Sequence, residues 1–314
     1  MTSWQTRGMT MLLRLLFHRA TSTRERGLRT LTRGRHPVAP PKKLRHRVSR
    51  HHLLEEGAKP GEYVVDRVDP HQTDTSATRA AVVYFHGGAF VHGIRRQHWE
   101  LVADLADATG APVYVPHYGR APEHTVEEVY DLVDTLIEHV SPANASPEEP
   151  GAAADVRIHL AGDSAGGTLA LLAAQHLRGR HPVAGLTLIS PALDLTQTNP
   201  AIAEVEPHDP WLTRAGTRPL LEAWAGERAL DDPWVSPVRG DLSGLPPTHV
   251  FSGTRDICWP DVAVLQRRAA EVGTDVTVHA AEGSPHVHVL LPTPEGRRDR
   301  AALLASSAES LRPR

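Results

Sequence analysis

The chain has 314 residues, 40% of them hydrophobic and 23% charged, with a net charge of −3. These ordinary values exclude a low-complexity chain and leave room for one large α/β domain or two small ones. A single cysteine, Cys258, excludes an intrachain disulfide and a cysteine-based zinc site, and it fits a reducing, cytoplasmic setting.

The net charge hides an asymmetry. Residues 1–50 carry thirteen Lys/Arg against one acid, Glu25, for a net +12, while the remainder carries −15. A basic arm on an acidic body can fold back on it, touch an anionic surface or stay a solvated tail. Met9–Phe17 reads MTMLLRLLF, which resembles a signal h-region only superficially, since Arg14 interrupts it and no small-residue cleavage site follows. No run approaches the ~20 apolar residues of a membrane span. Peripheral membrane contact through the arm stays open, as does a homodimer. No feature points to nucleic acid.

In chain order, residues 1–60 read as a basic, irregular arm, with Pro37, Pro40 and Pro41 breaking any long helix. The rest, 61–314, reads as the main domain. Tyr63–Val65 and Ala80–Phe85 predict strands, His98–Thr109 a helix, Pro112–Val115 a strand and Val126–Val140 a helix. Residues 141–154 form a polar loop. Val156–Ala161 predicts a strand, Gly167–Leu177 a helix and Leu186–Ser190 another strand. Regularity weakens between Pro191 and Pro247, where Pro and Trp accumulate. Alternation resumes with a strand at Thr248–Ser252, a helix at Pro260–Val272, a strand at Asp275–Ala280 and a final helix from about Pro294. This alternation implies a mostly parallel sheet covered by helices on both faces.

Between the strand ending at Ala161 and the following helix lies Gly162-Asp163-Ser164-Ala165-Gly166. GxSxG in a strand–turn–helix setting is the pattern of a nucleophile elbow, whose glycines permit a tight turn that lifts the serine above the sheet. Five residues alone are a weak signal, and a Gly-Ser loop is usually a plain turn. Partners in the required order strengthen it. A serine needs a base, and the base needs a carboxylate to hold its tautomer. Asp256 follows the strand ending at Ser252, and His286 follows the one ending near Ala280. His288 is the main rival for the base, and Asp261 and Asp194 are weaker rivals for the acid. Gly87 and Gly88, directly after Ala80–Phe85, can present backbone N–H groups to an oxyanion, with Ala165 N–H as a further donor.

These residues resemble the hormone-sensitive-lipase-like branch of the α/β-hydrolases. The signatures are His86-Gly87-Gly88-Ala89-Phe90 and Gly162-Asp163-Ser164-Ala165-Gly166-Gly167. His117–His124 is similar to the family's DYRLAPEH block, and Ser190–Leu195 to its SPxxDL segment. The run from Pro233–Pro237 to Gly244–Pro247 fits the stretch before the acid strand. The resemblance covers about residues 80–290. It implies an eight-stranded, mostly parallel α/β sheet with a helical cap built from the arm and a segment near 195–232. It implies Ser164 as nucleophile, Asp256 as acid, His286 as base, Gly87, Gly88 and Ala165 as the oxyanion hole, and His86 and Asp163 as supporting residues. The activity implied is hydrolysis of small carboxylic esters with short or medium acyl chains, through an acyl-enzyme, without metal or cofactor. Lactone or amide hydrolysis would use the same residues, and a non-catalytic ligand-binding protein could keep the fold. Ala89 departs from the family's third glycine, and His117, Gly119 and Arg120 depart from DYRL. Trp211, Trp224 and Trp234 are candidates for the cap side of an acyl pocket, with cap packing as their competing role. Trp259 could pack near the His286 loop.

Overall fold

Runs such as Ala80–Phe85, apolar at nearly every position, suit strands buried on both faces of a parallel sheet. The computed structural model describes residues 2–32, 36–53, 63–72, 80–141 and 156–312. Eight strands form one sheet: β1 (Val48–Leu53), β2 (Tyr63–Val68), β3 (Ala80–Phe85), β4 (Val113–Pro116), β5 (Arg157–Asp163), β6 (Val183–Ile189), β7 (Thr248–Gly253) and β8 (Val276–Ala281). Their order is β1-β2-β4-β3-β5-β6-β7-β8. β2 runs antiparallel to both neighbours, and the pairings from β4 to β8 are parallel.

The helices are α1 (Trp4–Leu13), α2 (Arg19–Thr21), α3 (Arg24–Thr32), α4 (Arg96–Thr109), α5 (Val129–Val140), α6 (Ala165–Leu177), α7 (Ile202–Val205), α8 (Arg214–Ala225), α9 (Trp259–Glu271) and α10 (Pro294–Leu311). One face of the sheet buries Trp99, Leu101 and Leu105 of α4 with Leu303 and Leu311 of α10. The other buries the apolar sides of α5, α6 and α9, including Leu132, Leu169 and Leu265. The sheet is thus covered on both faces, as the alternating pattern predicts.

The arm is more regular than its composition predicts. α1 continues through a π-helical turn, Arg14–His18, into α2, and α3 then packs on α8. Two glycines permit that approach. A Cβ on Gly27 would overlap the Gly216 carbonyl, and one on Gly216 would overlap the Thr21 carbonyl. Hydrogen bonds from Thr21 Oγ1 to the Trp211 carbonyl and from Thr213 Oγ1 to the Thr21 carbonyl fasten the same junction. Arg24 adds an ion pair to Glu222 at 2.9 Å. α8 escapes sequence detection because Pro219 lies inside it, where a proline removes a helix hydrogen bond. β1 and the short α7 are also unpredicted; the outward positions of β1 are polar and its alternation is weak. The predicted 141–154 loop lies outside the described residues, apart from Ser141.

Candidate active site

Ser164 sits between β5 and α6 with φ 53° and ψ −120°, a conformation that non-glycine residues rarely adopt. The flanking glycines make it attainable. A Cβ on Gly162 would overlap the Gly166 carbonyl, and one on Gly166 would overlap the Phe85 carbonyl. The turn is held by the Ser164 N–H donating to the Ile189 carbonyl at 2.8 Å. Ala165 opens α6, so its N–H has no partner within the helix.

Asp256 and His286 come to Ser164 from the ends of β7 and β8. His286 Nε2 lies 2.9 Å from Ser164 Oγ, and His286 Nδ1 lies 2.7 Å from Asp256 Oδ2. Asp256 is fully buried and His286 nearly so. The Cys258 N–H donates to Asp256 Oδ1 at 2.9 Å, fixing the carboxylate's second oxygen. Two loops are locked together beneath this chain. The Gly283 N–H donates to Thr254 Oγ1 at 2.8 Å, and the Arg255 N–H to the Ser284 carbonyl at 3.0 Å. The Val287 N–H donates to Ser190 Oγ at 2.9 Å. Burial pushes the His286 imidazole down. The Asp256 charge and hydrogen bond outweigh this, helped by the charges of Asp209 and Asp163, and the pKa lies above the ordinary 6.5.

The rival residues are engaged elsewhere. His288 is buried 2.7 Å from Asp299 on α10. Asp194 borders the pocket beside Ser164, but it pairs with Arg239 at 2.8 Å and accepts from Thr196. Asp261 borders the same pocket, where Asn199 Nδ2 donates to it at 2.8 Å. Burial pushes the Asp261 carboxyl up to about 6. Asp256, Cys258 and His286 are the described residues that could jointly hold a metal ion, with ligand atoms within 4.8 Å of one another. Nδ1 and Oδ2 are already hydrogen-bonded there, and an inserted cation would sever that contact.

The loop after β3 requires one correction. The Gly87 N–H, expected to face an oxyanion, instead donates to Asp163 Oδ1 at 2.8 Å. Tyr84 Oη donates to the same oxygen at 2.6 Å, and His98 Nε2 lies 3.4 Å from Oδ2. An N–H committed to a buried carboxylate is not available to a ligand. Among the described residues, the N–H groups of Gly88 and Ala89 have no hydrogen-bond partner. Both residues take positive φ, 137° and 51°. Asp163 is therefore the anchor of this loop. Burial alone would raise its carboxyl, but His98, Tyr84 and the Gly87 N–H hold it below the ordinary value. His86 supports the loop from behind, packed between Tyr118 and His98 with ring centroids 4.7 and 5.9 Å away. Burial holds its imidazole down at about 3.

The departures in the His117–His124 block have local partners. His117 Nε2 lies 2.7 Å from Asp66 Oδ2 on β2, where Arg50 also binds Asp66 through two nitrogens at 2.8 Å. A Cβ on Gly119 would press on the His124 ring and the Glu128 carboxylate.

Two residues of the 195–232 segment reach the site: Trp211, one of the three tryptophan candidates for its cap side, and Asp209, which no sequence signal marks. Asp209 is fully buried. Its Oδ1 accepts the N–H groups of Trp211 and Leu212 at 2.7 and 2.8 Å, and its Oδ2 accepts the Ile257 N–H at 2.9 Å. Burial and the nearby Asp256 charge push its carboxyl up to about 7. Trp211 stands edge-on to the His286 ring, with centroids 5.9 Å apart. Trp224 instead stacks on Phe90 at 4.5 Å, bracing the loop after β3, and Trp234 packs on Tyr130 at 4.1 Å. Nothing in the sequence around Asp209 points to the distant Ile257 loop that its carboxylate holds.

The pocket beside Ser164 has a volume of about 50 Å³ and apolar walls that include Phe90, Ile202, Leu212 and Leu221. A larger cavity of about 590 Å³ is walled by Leu31, His86, Tyr118 and Pro122 and does not include Ser164.

A family model described as an alpha/beta hydrolase fold matches residues 82–290. A triacylglycerol lipase of Mycobacterium tuberculosis is 34% identical over 229 residues, covering 71% of this chain and 45% of the lipase. This chain therefore spans less than half the length of that relative. An acetyl-hydrolase of Streptomyces hygroscopicus is 34% identical over 227 residues, 69% of this chain and 71% of the relative. A solved hormone-sensitive lipase from a metagenome library has a TM-score of 0.74, with 99% of this chain and 100% of that chain covered. At 22% identity that likeness is one of fold. The matched segment contains Gly87, Ser164, Asp256 and His286, and the chain belongs to the α/β-hydrolase fold family.

Proposed function

We propose that this chain is a serine carboxylesterase acting on small esters with short acyl groups. The observation that carries this reading is the series Ser164 Oγ, His286 Nε2, His286 Nδ1, Asp256 Oδ2, with contacts of 2.9 and 2.7 Å and with His286 and Asp256 buried. Ser164 Oγ attacks the ester carbonyl while His286 takes its proton, and Asp256 stabilises the imidazolium that forms. The oxyanion is met by the N–H groups of Ala165, Gly88 and Ala89. Gly87 acts through Asp163 to hold the loop. His286 then protonates the leaving alcohol, leaving an acyl-enzyme that water hydrolyses with His286 as base. No step calls for a metal or cofactor.

The short acyl preference is supported by the pocket of about 50 Å³. An engineered apolar cavity of about 150 Å³ is what benzene occupies, so this space suits an acyl group of a few atoms. The name of the Streptomyces acetyl-hydrolase agrees. We further propose that the arm and the 195–232 segment act together as a cap, because α3 packs on α8 and Trp211 reaches His286.

The test is hydrolysis of p-nitrophenyl acetate, butyrate and octanoate by the wild type and Ser164→Ala. Acetate and butyrate are expected to be cleaved well, octanoate poorly, and the variant's kcat should fall about 10⁶-fold. Equal rates for the two proteins would remove Ser164 from the chemistry. Cleavage of octanoate as fast as acetate would remove the acyl-length reading and leave the serine in place.

A further inference from the structure

Helix α1, the π-helical turn and α2 form one continuous rod, Trp4–Thr21, about 27 Å long at 1.5 Å per residue. This rod is inside out. Its face toward the protein holds Thr6, fully buried and bonded to Glu295, and Leu13. Its outward face carries Trp4, Met11, Leu15 and Leu16, which are 78, 68, 74 and 60% exposed. Trp4, Gly8, Met11 and Leu15 fall at i, i+4, i+7 and i+11, one line along a helix. A Cβ on Gly8 would meet nothing within 4 Å, so this line faces outward at that level too. Arg7, Arg14 and Arg19 are exposed beside it. No acid occurs in the chain before Glu25.

We infer that this face is an interfacial helix that docks on an anionic lipid surface. The apolar line enters the boundary between headgroups and acyl chains, and the three arginines meet the lipid phosphates. Charge complementarity selects this occupant over a second copy of the chain. A two-fold contact through the same face would set Arg7 and Arg14 against their like-charged counterparts, with no carboxylate among residues 2–24 to pair them. Among the described residues no helix is long and apolar enough to cross a membrane, so the contact lies on the surface. The rod also reaches the candidate site. Phe17 packs on Trp211 with centroids 5.3 Å apart, and Trp211 is the ring edge-on to His286. Docking would therefore set the arm side of the pocket toward the lipid. The inference does not depend on the chemistry assigned to Ser164.

The test is cosedimentation of the full chain with vesicles of phosphatidylcholine alone and of phosphatidylcholine mixed with phosphatidylglycerol. The wild type is expected to pellet with the mixed vesicles and far less with the neutral ones. Leu15→Ser/Leu16→Ser is expected to lower binding by about tenfold or more. Arg7→Gln/Arg14→Gln should lower it by about 30-fold, from the attraction each basic residue feels near an anionic membrane. All four side chains are exposed, so both variants should melt with the wild type and hydrolyse a soluble ester at its rate. A wild type that stays in the supernatant would overturn the inference. So would variants that sediment equally, or a wild-type dimer in solution that Leu15→Ser/Leu16→Ser turns into a monomer.

Discussion

The Asp209 carboxylate accepts the backbone N–H of Ile257, the residue after Asp256, at 2.9 Å. Its other oxygen accepts the N–H groups of Trp211 and Leu212. One buried side chain thus fastens the loop carrying the proposed acid to the segment that lays Trp211 against His286. Burial, joined by the nearby Asp256 charge, pushes the Asp209 carboxyl up from its ordinary 3.8 to about 7.

This arrangement has a signature in the pH profile. In the proposed mechanism His286 must be neutral to accept the serine proton, so kcat/KM is expected to be lost as pH falls through its pKa. That pKa is raised, and the acid limb is expected above the ordinary histidine value of 6.5. Asp209→Asn removes a negative charge that favours the imidazolium, and the limb should move to lower pH. A purely structural role for Asp209 would lower the rate and leave the limb in place. Stability carries a matching sign. A carboxyl raised from 3.8 to about 7 binds more protons folded than unfolded across that window. Its contribution is thus present at low pH and lost as pH rises toward 7. Denaturant midpoints measured from pH 4 to pH 8 should fall less steeply in Asp209→Asn than in the wild type.

Asp163→Ala leaves the Gly87 N–H and the Tyr84 hydroxyl without their shared acceptor. The loop bearing Gly88 and Ala89 is then free to shift. The kcat for p-nitrophenyl acetate should fall by about 10²–10³, the cost of one oxyanion donor, with KM changed little. Asp163→Asn keeps an acceptor oxygen and should recover most of the loss. Equal defects in the two variants would count against this anchoring role.

Leu212 walls the small pocket from the 195–232 segment. Leu212→Ala opens room for further methylenes. The kcat/KM ratio of butyrate or hexanoate over acetate should rise about tenfold or more. An unchanged ratio across the ester series would mean that another wall sets acyl length.

His117 stands where the family block carries an aspartate, and it faces Asp66 at 2.7 Å. Burial alone would raise the Asp66 carboxyl, but Arg50 and His117 hold it at about 2. His117→Asp would set two carboxylates together beside the buried middle of β2. A destabilisation of about 1–3 kcal/mol is expected in urea unfolding at pH 7, shrinking as the pH is lowered and the carboxylates protonate. A variant as stable as the wild type would show that Arg50 alone satisfies Asp66.

Most strands of the sheet are legible because they are largely apolar runs, and β1, VSRHHL, is not. Ala80–Phe85 was read to the residue, and β5, β7 and β8 to within a few positions. Ser164, Asp256 and His286 were legible because each follows such a strand. What stayed hidden depends on contacts distant in sequence. α8 contains Pro219, and the arm's helices are fixed by Gly27 against Gly216 rather than by an apolar face of their own. The Gly87 expectation failed because which N–H faces the pocket is decided by Asp163, 76 residues away. Asp209 could not be found for the same reason, since its partner Ile257 lies 48 residues on.

The central claim is that Ser164 is the nucleophile and is activated by His286. It is tested most directly by reacting the folded protein with a fluorophosphonate probe and mapping the adduct by mass spectrometry. The account predicts a single adduct on Ser164 whose formation stops ester hydrolysis and slows sharply in His286→Ala. An unmodified Ser164 in a protein that still hydrolyses p-nitrophenyl acetate would contradict it.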